Sequence, residues 1–81
     1  MRPDDIEGLI REGLPGATAR VVDETGGGDH FQAVVVSPAF AGKGPVERHQ
    51  LVYASLKGAM AGPIHALSLK TYTPEEWGKE P

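Results

Sequence analysis

The chain has 81 residues, no cysteine, and a net charge of −3 from 8 basic and 11 acidic side chains. A chain of this length has room for one small domain, residues 1–81, which buries only about 60% of its unfolded surface. The absence of cysteine excludes a disulfide framework and any thiolate ligand from this chain. The acidic balance weighs against binding to nucleic acid through a strongly basic surface.

The first predicted element is a helix from Pro3 to Glu12, whose acidic residues lie near its N-terminus, where the helix dipole favours them. No apolar run approaches the length of a membrane span, and the first residues lack the apolar segment of a signal peptide. A cytoplasmic protein without membrane contact is therefore expected. The segment Gly13-Leu14-Pro15-Gly16 matches the Gly-x-x-Gly pattern of KH nucleic-acid modules, but Leu and Pro replace the phosphate-approaching residues of that loop. We interpret this segment as a turn.

Two β-strands joined by a glycine-rich loop are predicted next. The first spans Ala17 to Asp23, and the second, from His30 to Val36, is the most apolar strand of the chain. The loop from Glu24 to Asp29 is typical of a hairpin, so these strands should be antiparallel. Because the second strand is apolar on both parities from Ala33 to Val36, we expect a central strand that is covered on both faces or at least flanked by a neighbour on each side.

A long helix is predicted after the second strand. A short turn around Pro38 to Phe40 leads to Pro45, which suits the first position of a helix. A single stripe then recurs at steps of three and four residues, formed by Val46, His49, Val52, Leu56 and Met60. Gly62-Pro63 is expected to end this helix.

The end of the chain carries the clearest local signals. A third strand is predicted from Ile64 to Tyr72, and the next helix should start with Thr73 as N-cap and Glu76 as its capping-box partner. Because a helical crossover separates the second and third strands, these should be parallel. The sequence thus predicts an α+β fold, with a three-stranded mixed sheet and helices on one face.

This topology brings two histidines to one edge of the sheet. His30 begins the second strand and His65 lies at the start of the third, and parallel strands enter a sheet from the same edge, so both imidazoles could face one small ligand. Each has a plainer interpretation as well. His65 shares the strand parity of Leu67 and Leu69 and would pack there, while His30 would be a solvated loop residue.

Other polar residues are weaker candidates. His49 lies on the apolar stripe of the long helix and is interpreted as a core or boundary residue. Asp29 is expected to stabilise the turn or to orient His30. No serine has a base at a recognisable spacing, so an enzyme is not expected. A small basic patch for nucleic acid, with ordinary solvated surface as the alternative, would comprise Lys43, Arg48, Lys57 and Lys70.

Several segments in this order resemble the BolA family over nearly the whole chain. They are Phe40-x-Gly42, Arg48-His49 followed by Val52-Tyr53-x-x-Leu56, Ile64-His65-Ala66-Leu67, and Tyr72 through Trp77. The resemblance implies a single BolA-like domain with the order α-β-β-α-α-β-α, related to the class II KH fold and lacking its Gly-x-x-Gly loop.

For function, the resemblance implies partnership with a monothiol glutaredoxin of the Cys-Gly-Phe-Ser type and a [2Fe-2S] cluster shared by the two proteins. The glutaredoxin cysteine and glutathione would hold one side of the cluster. This chain, of the short-loop type with a loop histidine, would supply His65 and His30. Histidine can replace thiolate at one iron of such a cluster, and no cofactor is expected in the isolated chain.

Two other functions stay open on the sequence alone. Transcriptional regulators occur in the same family, so DNA binding through the basic patch is the runner-up. A zinc-binding or purely structural interaction domain is the third hypothesis. A weak homodimer is compatible with all three.

Overall fold

The computed structural model describes residues 2–28, 30–56, 58 and 66–80. In chain order, its elements are α1 (Pro3–Gly13), β1 (Thr18–Asp23), β2 (His30–Val36), a 3-10 turn (Pro38–Phe40), α2 (Pro45–Ser55), β3 (Ala66–Tyr72) and α3 (Pro74–Trp77). Within these ranges, each helix is too short or too polar to cross a bilayer.

The sheet has three strands with β2 in the centre, antiparallel to β1 and parallel to β3. Every second residue of β2 is fully buried, namely Phe31, Ala33 and Val35, and the residues between them are half-buried. This alternation is expected for a strand with one face on the core and the other toward solvent. The predicted mixed sheet is confirmed, as is the place of β2 between two neighbouring strands. Coverage of β2 on both faces is wrong, because Val34 and Val36 on the second face are only half-buried.

Both long helices pack on the core face of the sheet. The buried side chains Ile6 and Ile10 of α1 and Val52 of α2 join Phe31 and Val35 in one hydrophobic core. The opposite face of the sheet carries exposed residues of β1 and β3. The predicted α+β architecture is therefore confirmed, with the two long helices on one face of the sheet. The short α3 contributes Trp77 to a groove that Arg20 and Val34 of the opposite face also line.

The α2 helix is shorter than the sequence predicts. It ends at Ser55, whose hydroxyl donates a hydrogen bond to the Val52 carbonyl at 2.5 Å, a side-chain bond that competes with continued helix. The predicted stripe is not buried along its whole length: the side chain of Val46 is 70% exposed, and α2 buries residues only in its second half. Met60 and Gly62-Pro63 lie outside the described residues.

The capping box predicted at the start of α3 is present. The Oγ1 atom of Thr73 accepts the N–H of Glu76 at 3.1 Å, and Oε1 of Glu76 accepts the N–H of Thr73 at 2.8 Å. The same carboxylate accepts hydrogen bonds from Arg48: Nη1 donates to Oε1 at 2.7 Å, and Nη2 donates to Oε2 at 3.4 Å. Glu76 therefore caps its own helix and also joins that helix to α2.

This double role predicts an acid-sensitive contribution to stability. The Arg48 guanidinium, followed by the N–H of Thr73, lowers the pKa of the Glu76 carboxyl from 4.5 to about 2. Because the folded pKa lies below the unfolded value, the ionised carboxylate stabilises the fold above pH 4.5, and this contribution is lost as the pH falls toward 2. We expect the melting temperature of the wild type to fall more steeply in this window than that of Glu76→Gln.

The adjacent Glu75→Gln variant serves as the control for this measurement, since it removes a carboxylate from the same helical turn without touching the Arg48 contact. Its melting temperature should follow the wild-type slope. Equal slopes for the wild type and Glu76→Gln would show that the contact with Arg48 does not stabilise the fold.

Candidate metal site at the strand edge

The edge at which β2 and β3 begin is where the sequence predicts the metal ligands. His30 opens β2 and pairs in parallel register with Ala66, the first residue of β3. Ala66 follows His65 in the chain, and His65 lies outside the described residues. The register confirms that β2 and β3 are neighbours and begin at one edge, while the joint action of the two imidazoles stays a prediction.

The loop before His30 is organised by Asp23, the last residue of β1. Its Oδ1 atom accepts the backbone N–H of Gly26 at 2.9 Å and that of Thr25 at 3.3 Å, and its Oδ2 atom accepts the N–H of Gly28 at 2.9 Å. Gly26 and Gly28 both have a φ of 78°, a conformation that other residues rarely adopt. One carboxylate thus fixes the course of this glycine-rich loop.

The strand side of the loop is held by the backbone. The N–H of Glu24 donates to the carbonyl of His30 at 2.9 Å, which closes the hairpin directly beneath the loop. The next residue, Phe31, is fully buried. The backbone of His30 is therefore fixed from both sides, by the hairpin and by the core. Asp29, for which a turn role is predicted, lies outside the described residues.

We expect Asp23→Asn to loosen this loop. The asparagine side chain keeps one accepting oxygen, but its amide group donates hydrogen bonds and would oppose the N–H of Gly28 or Gly26. Losing a hydrogen bond to a charged acceptor costs roughly 1.5–3 kcal/mol. Amide hydrogen exchange should accelerate at Gly26 and Gly28, measured by NMR.

The neighbouring variant Glu24→Gln is the control for Asp23→Asn, because Glu24 contributes only its backbone N–H to the hairpin contact described here. Its loop amides should exchange at the wild-type rate. Unchanged exchange at Gly28 in Asp23→Asn would contradict the assigned role of the carboxylate.

The donor set at this edge is small. Among the residues that the structure describes, no group of three or more His, Cys, Asp or Glu side chains is placed to hold a metal ion. The described part of the edge offers the imidazole of His30, a ligand suited to zinc, copper and iron. A metal centre here therefore requires further ligands, from His65 or from a second molecule.

The third histidine lies elsewhere. His49 is half-buried on α2, and its ring meets the ring of Tyr53 edge-on, with 6.3 Å between centroids. This placement agrees with its interpretation as a boundary residue.

The described members of the predicted basic patch differ in their surroundings. Arg48 is engaged within the domain: its Nε donates to the Lys43 carbonyl at 2.8 Å, its guanidinium binds Glu76, and its Cζ lies 5.8 Å from the centre of the Phe40 ring. Lys57 lies outside the described residues. Lys43 is half-buried before α2, and Lys70 is exposed on β3.

Sequence reasoning missed two interactions, the contact of Arg48 with Glu76 and the hydrogen bonds that Asp23 accepts from the loop. The partner of Arg48 is Glu76, 28 residues away, and no local pattern signals such a contact. Asp23 did have a signal, because an aspartate directly before a glycine-rich loop often accepts backbone N–H groups of the turn.

The chain matches known proteins over most of its length. The model of the BolA-like protein family matches residues 15–76. The DNA-binding transcriptional regulator BolA of Vibrio cholerae is 38% identical over 84 residues, covering 95% of this chain and 79% of that protein. BolA-like protein 1 of Bos taurus is 46% identical over 52 residues, covering 64% of this chain and 38% of the bovine protein. The match thus spans less than half of that relative.

The fold is shared with solved structures as well. A bolA protein homologue from Coxiella burnetii has a TM-score of 0.81 and 46% identity, covering 98% of this chain and 99% of that one. The sequence match and the shared architecture agree, and the chain belongs to the BolA family.

Proposed function

We propose that this chain is a non-enzymatic adaptor that pairs with a monothiol glutaredoxin and lends histidine ligands to a [2Fe-2S] cluster shared between the two proteins. The observation that carries the proposal is the parallel register of β2 and β3, in which His30 is level with Ala66, the residue after His65. One candidate ligand, His30, thus opens β2, and the other, His65, directly precedes in the sequence the residue that opens the neighbouring strand.

The chemistry of the donors supports a shared centre. The chain has no cysteine, so the thiolates would come from the glutaredoxin and from glutathione. Imidazole is a known replacement for thiolate at one iron of a [2Fe-2S] centre. When bound, such a cluster provides iron and sulfide for delivery or a redox-sensitive signal for iron sensing.

The support beneath His30 suits a ligand that must be held in place. Its backbone carbonyl is bonded to Glu24, its neighbour Phe31 is buried, and Asp23 fixes the preceding loop. A ligand held by such a scaffold loses little conformational entropy when it binds. This chain would thus hold and orient the imidazole, while the partner would supply the remaining ligands.

The buried hydroxyl groups also favour an adaptor over an enzyme. Ser37 Oγ accepts the N–H of Ala39 at 3.1 Å, and Ser55 Oγ donates to the Val52 carbonyl. Both side chains therefore serve the backbone at the ends of helical segments. Neither is arranged as a nucleophile beside a base.

The test is to mix the purified apo protein with a cluster-loaded monothiol glutaredoxin in the presence of glutathione. We expect a heterodimer on size-exclusion chromatography, with visible absorption and circular dichroism that differ from those of the glutaredoxin alone. The same mixture without cluster is the control for co-elution. An unchanged spectrum would contradict the proposal, and zinc retained without any glutaredoxin would favour the zinc-binding alternative.

DNA binding is the second candidate, because the Vibrio cholerae relative is named a DNA-binding transcriptional regulator. Lys43 and Lys70 would supply the phosphate contacts, with Lys57 and the partly engaged Arg48 as further members of the patch. Such binding must weaken as salt is added, since each phosphate contact releases a counterion. Titration of promoter DNA at low and high salt tests it, and no binding at low salt would remove this candidate.

A further inference from the structure

The sheet face opposite α1 and α2, here called the open face, combines apolar and cationic side chains. We define it by Arg20 and Val22 of β1, Val34 and Val36 of β2, and Lys70 and Tyr72 of β3. Val22 is 59% exposed. Exposed apolar side chains that form a contiguous patch commonly mark an interaction site.

The strand register gives this face a specific pattern. Val34 lies directly opposite Arg20 on one side and Lys70 on the other. Val22 pairs with the residue two positions before Val34 on β2, and Tyr72 pairs with the residue two positions after it. Val22, Val34 and Tyr72 therefore form an apolar diagonal across the three strands, with one cation on each side.

Two aromatic rings, those of Tyr72 and Trp77, lie together at one end of the diagonal. Trp77 of α3 is 46% exposed, and its ring lies 5.1 Å from that of Tyr72, measured between centroids. Trp77 lines a groove of about 340 Å³ together with Arg20, Val34 and Val36. At this end, a hydrogen bond with the Glu80 carboxylate is the main cause that raises the pKa of the Tyr72 hydroxyl.

The size of the open face suits one helix. Three strands spaced by about 4.8 Å place the outer two about 10 Å apart, which is close to the diameter of a single α-helix. Sheets commonly bury an apolar face against a layer of helices. The apolar diagonal would meet the apolar stripe of such a helix, and the two cations would lie beside its flanks.

We propose that the open face docks an amphipathic helix of a partner protein, with acidic residues on both sides of its apolar stripe. Charge complementarity to Arg20 and Lys70 identifies this occupant. A single strand of nucleic acid fits less well, because the cations are separated by Val34 and the chain is acidic overall. A second copy packed face to face also fits less well, since it would bring the cations Arg20 and Lys70 of one open face against those of the other.

The test uses two synthetic helical peptides of about 18 residues, or about five turns. Both carry the same leucine stripe, flanked by glutamate in one and by lysine in the other. Trp77 is the only tryptophan of the chain, so its fluorescence reports binding directly on the apo protein. We expect the glutamate peptide to shift this emission to the blue and to bind about tenfold more tightly than the lysine peptide, because its glutamates pair with Arg20 and Lys70 while the lysines of the other peptide are repelled by them.

Charge reversal makes the test specific. In Arg20→Glu/Lys70→Glu the preference should change to the lysine peptide. The control Arg2→Glu/Arg11→Glu alters the net charge equally at two exposed positions, the residue before α1 and a residue of α1, and should keep the wild-type preference. Circular dichroism of both variants checks that they fold.

Four outcomes would overturn the proposal. The first is that neither peptide changes the Trp77 emission, and the second is that Arg20→Glu/Lys70→Glu keeps the wild-type preference for the glutamate peptide. The third is that single-stranded oligothymidine binds more tightly than the glutamate peptide. The fourth is that sedimentation shows self-association of the protein through this face. Because no cluster or glutaredoxin enters the experiment, its failure would leave the proposed function untouched.

Discussion

The His65→Ala variant is expected to lose the spectral change that the wild-type chain produces with a cluster-loaded glutaredoxin. Alanine has no donor atom, and the chain has no cysteine that could take its place. The glutaredoxin spectrum alone should then remain at every ratio of the two proteins. The measurement is a titration followed by visible circular dichroism, a signal that depends on the ligands around the iron atoms.

Two further histidine variants show whether the loss of the spectral change is specific to His65. His30→Ala should weaken the spectral change, because it removes the histidine that begins the neighbouring strand at the same edge. His49→Ala should leave the change intact, because its ring packs beside Tyr53 on α2. A wild-type spectrum for His65→Ala would refute the ligand assignment, and loss in His49→Ala would point instead to damaged folding.

The second large effect is on stability, and it concerns the contact between α1 and α2. We expect Gly13→Ala to destabilise the domain by roughly 1–3 kcal/mol, the usual cost of overpacking. A Cβ atom at this position would lie 2.8 Å from the Cα of Ser55. This Cα belongs to the backbone of α2 and cannot move away by rotation of a side chain, so α1 or α2 would have to shift. Urea unfolding would measure the change.

Gly8→Ala is the matched control in the same helix. No atom lies within 4 Å of the position that its Cβ would occupy, so the substitution should only improve helix propensity. We expect it to stabilise the domain by about 0.5–1 kcal/mol. The two variants make the same chemical change in one helix and should differ in sign. A stabilising effect of both would contradict the close packing described at Gly13.

The parts of the fold that the sequence predicts well are those with local signals. Thr73 and Glu76 form the capping box because their spacing alone brings each side chain to the other's backbone N–H. The apolar run of β2 correctly predicts a central strand, and the helical crossover correctly predicts its parallel pairing with β3. The shared edge at which His30 begins its strand follows from that topology.

Contacts between residues far apart in the chain were not predictable in the same way. The periodicity of α2 places Val46 on the stripe, but the burial of a helix depends on which part of it meets the sheet. Arg48 looks like an available cation in the sequence, and only the fold brings it to Glu76. The ligand role assigned to His65 rests on the family resemblance and not on local pattern.

The carboxylate of Asp23 has a consequence for the speed of partner recognition. Its hydrogen bonds to the loop backbone form within the isolated chain, so the loop before His30 has its shape before a partner arrives. Ordering a flexible loop during an encounter slows productive association and weakens the complex. For the proposed complex, the rate of association would then depend on how often the two proteins collide in the right orientation, and not on the ordering of this loop.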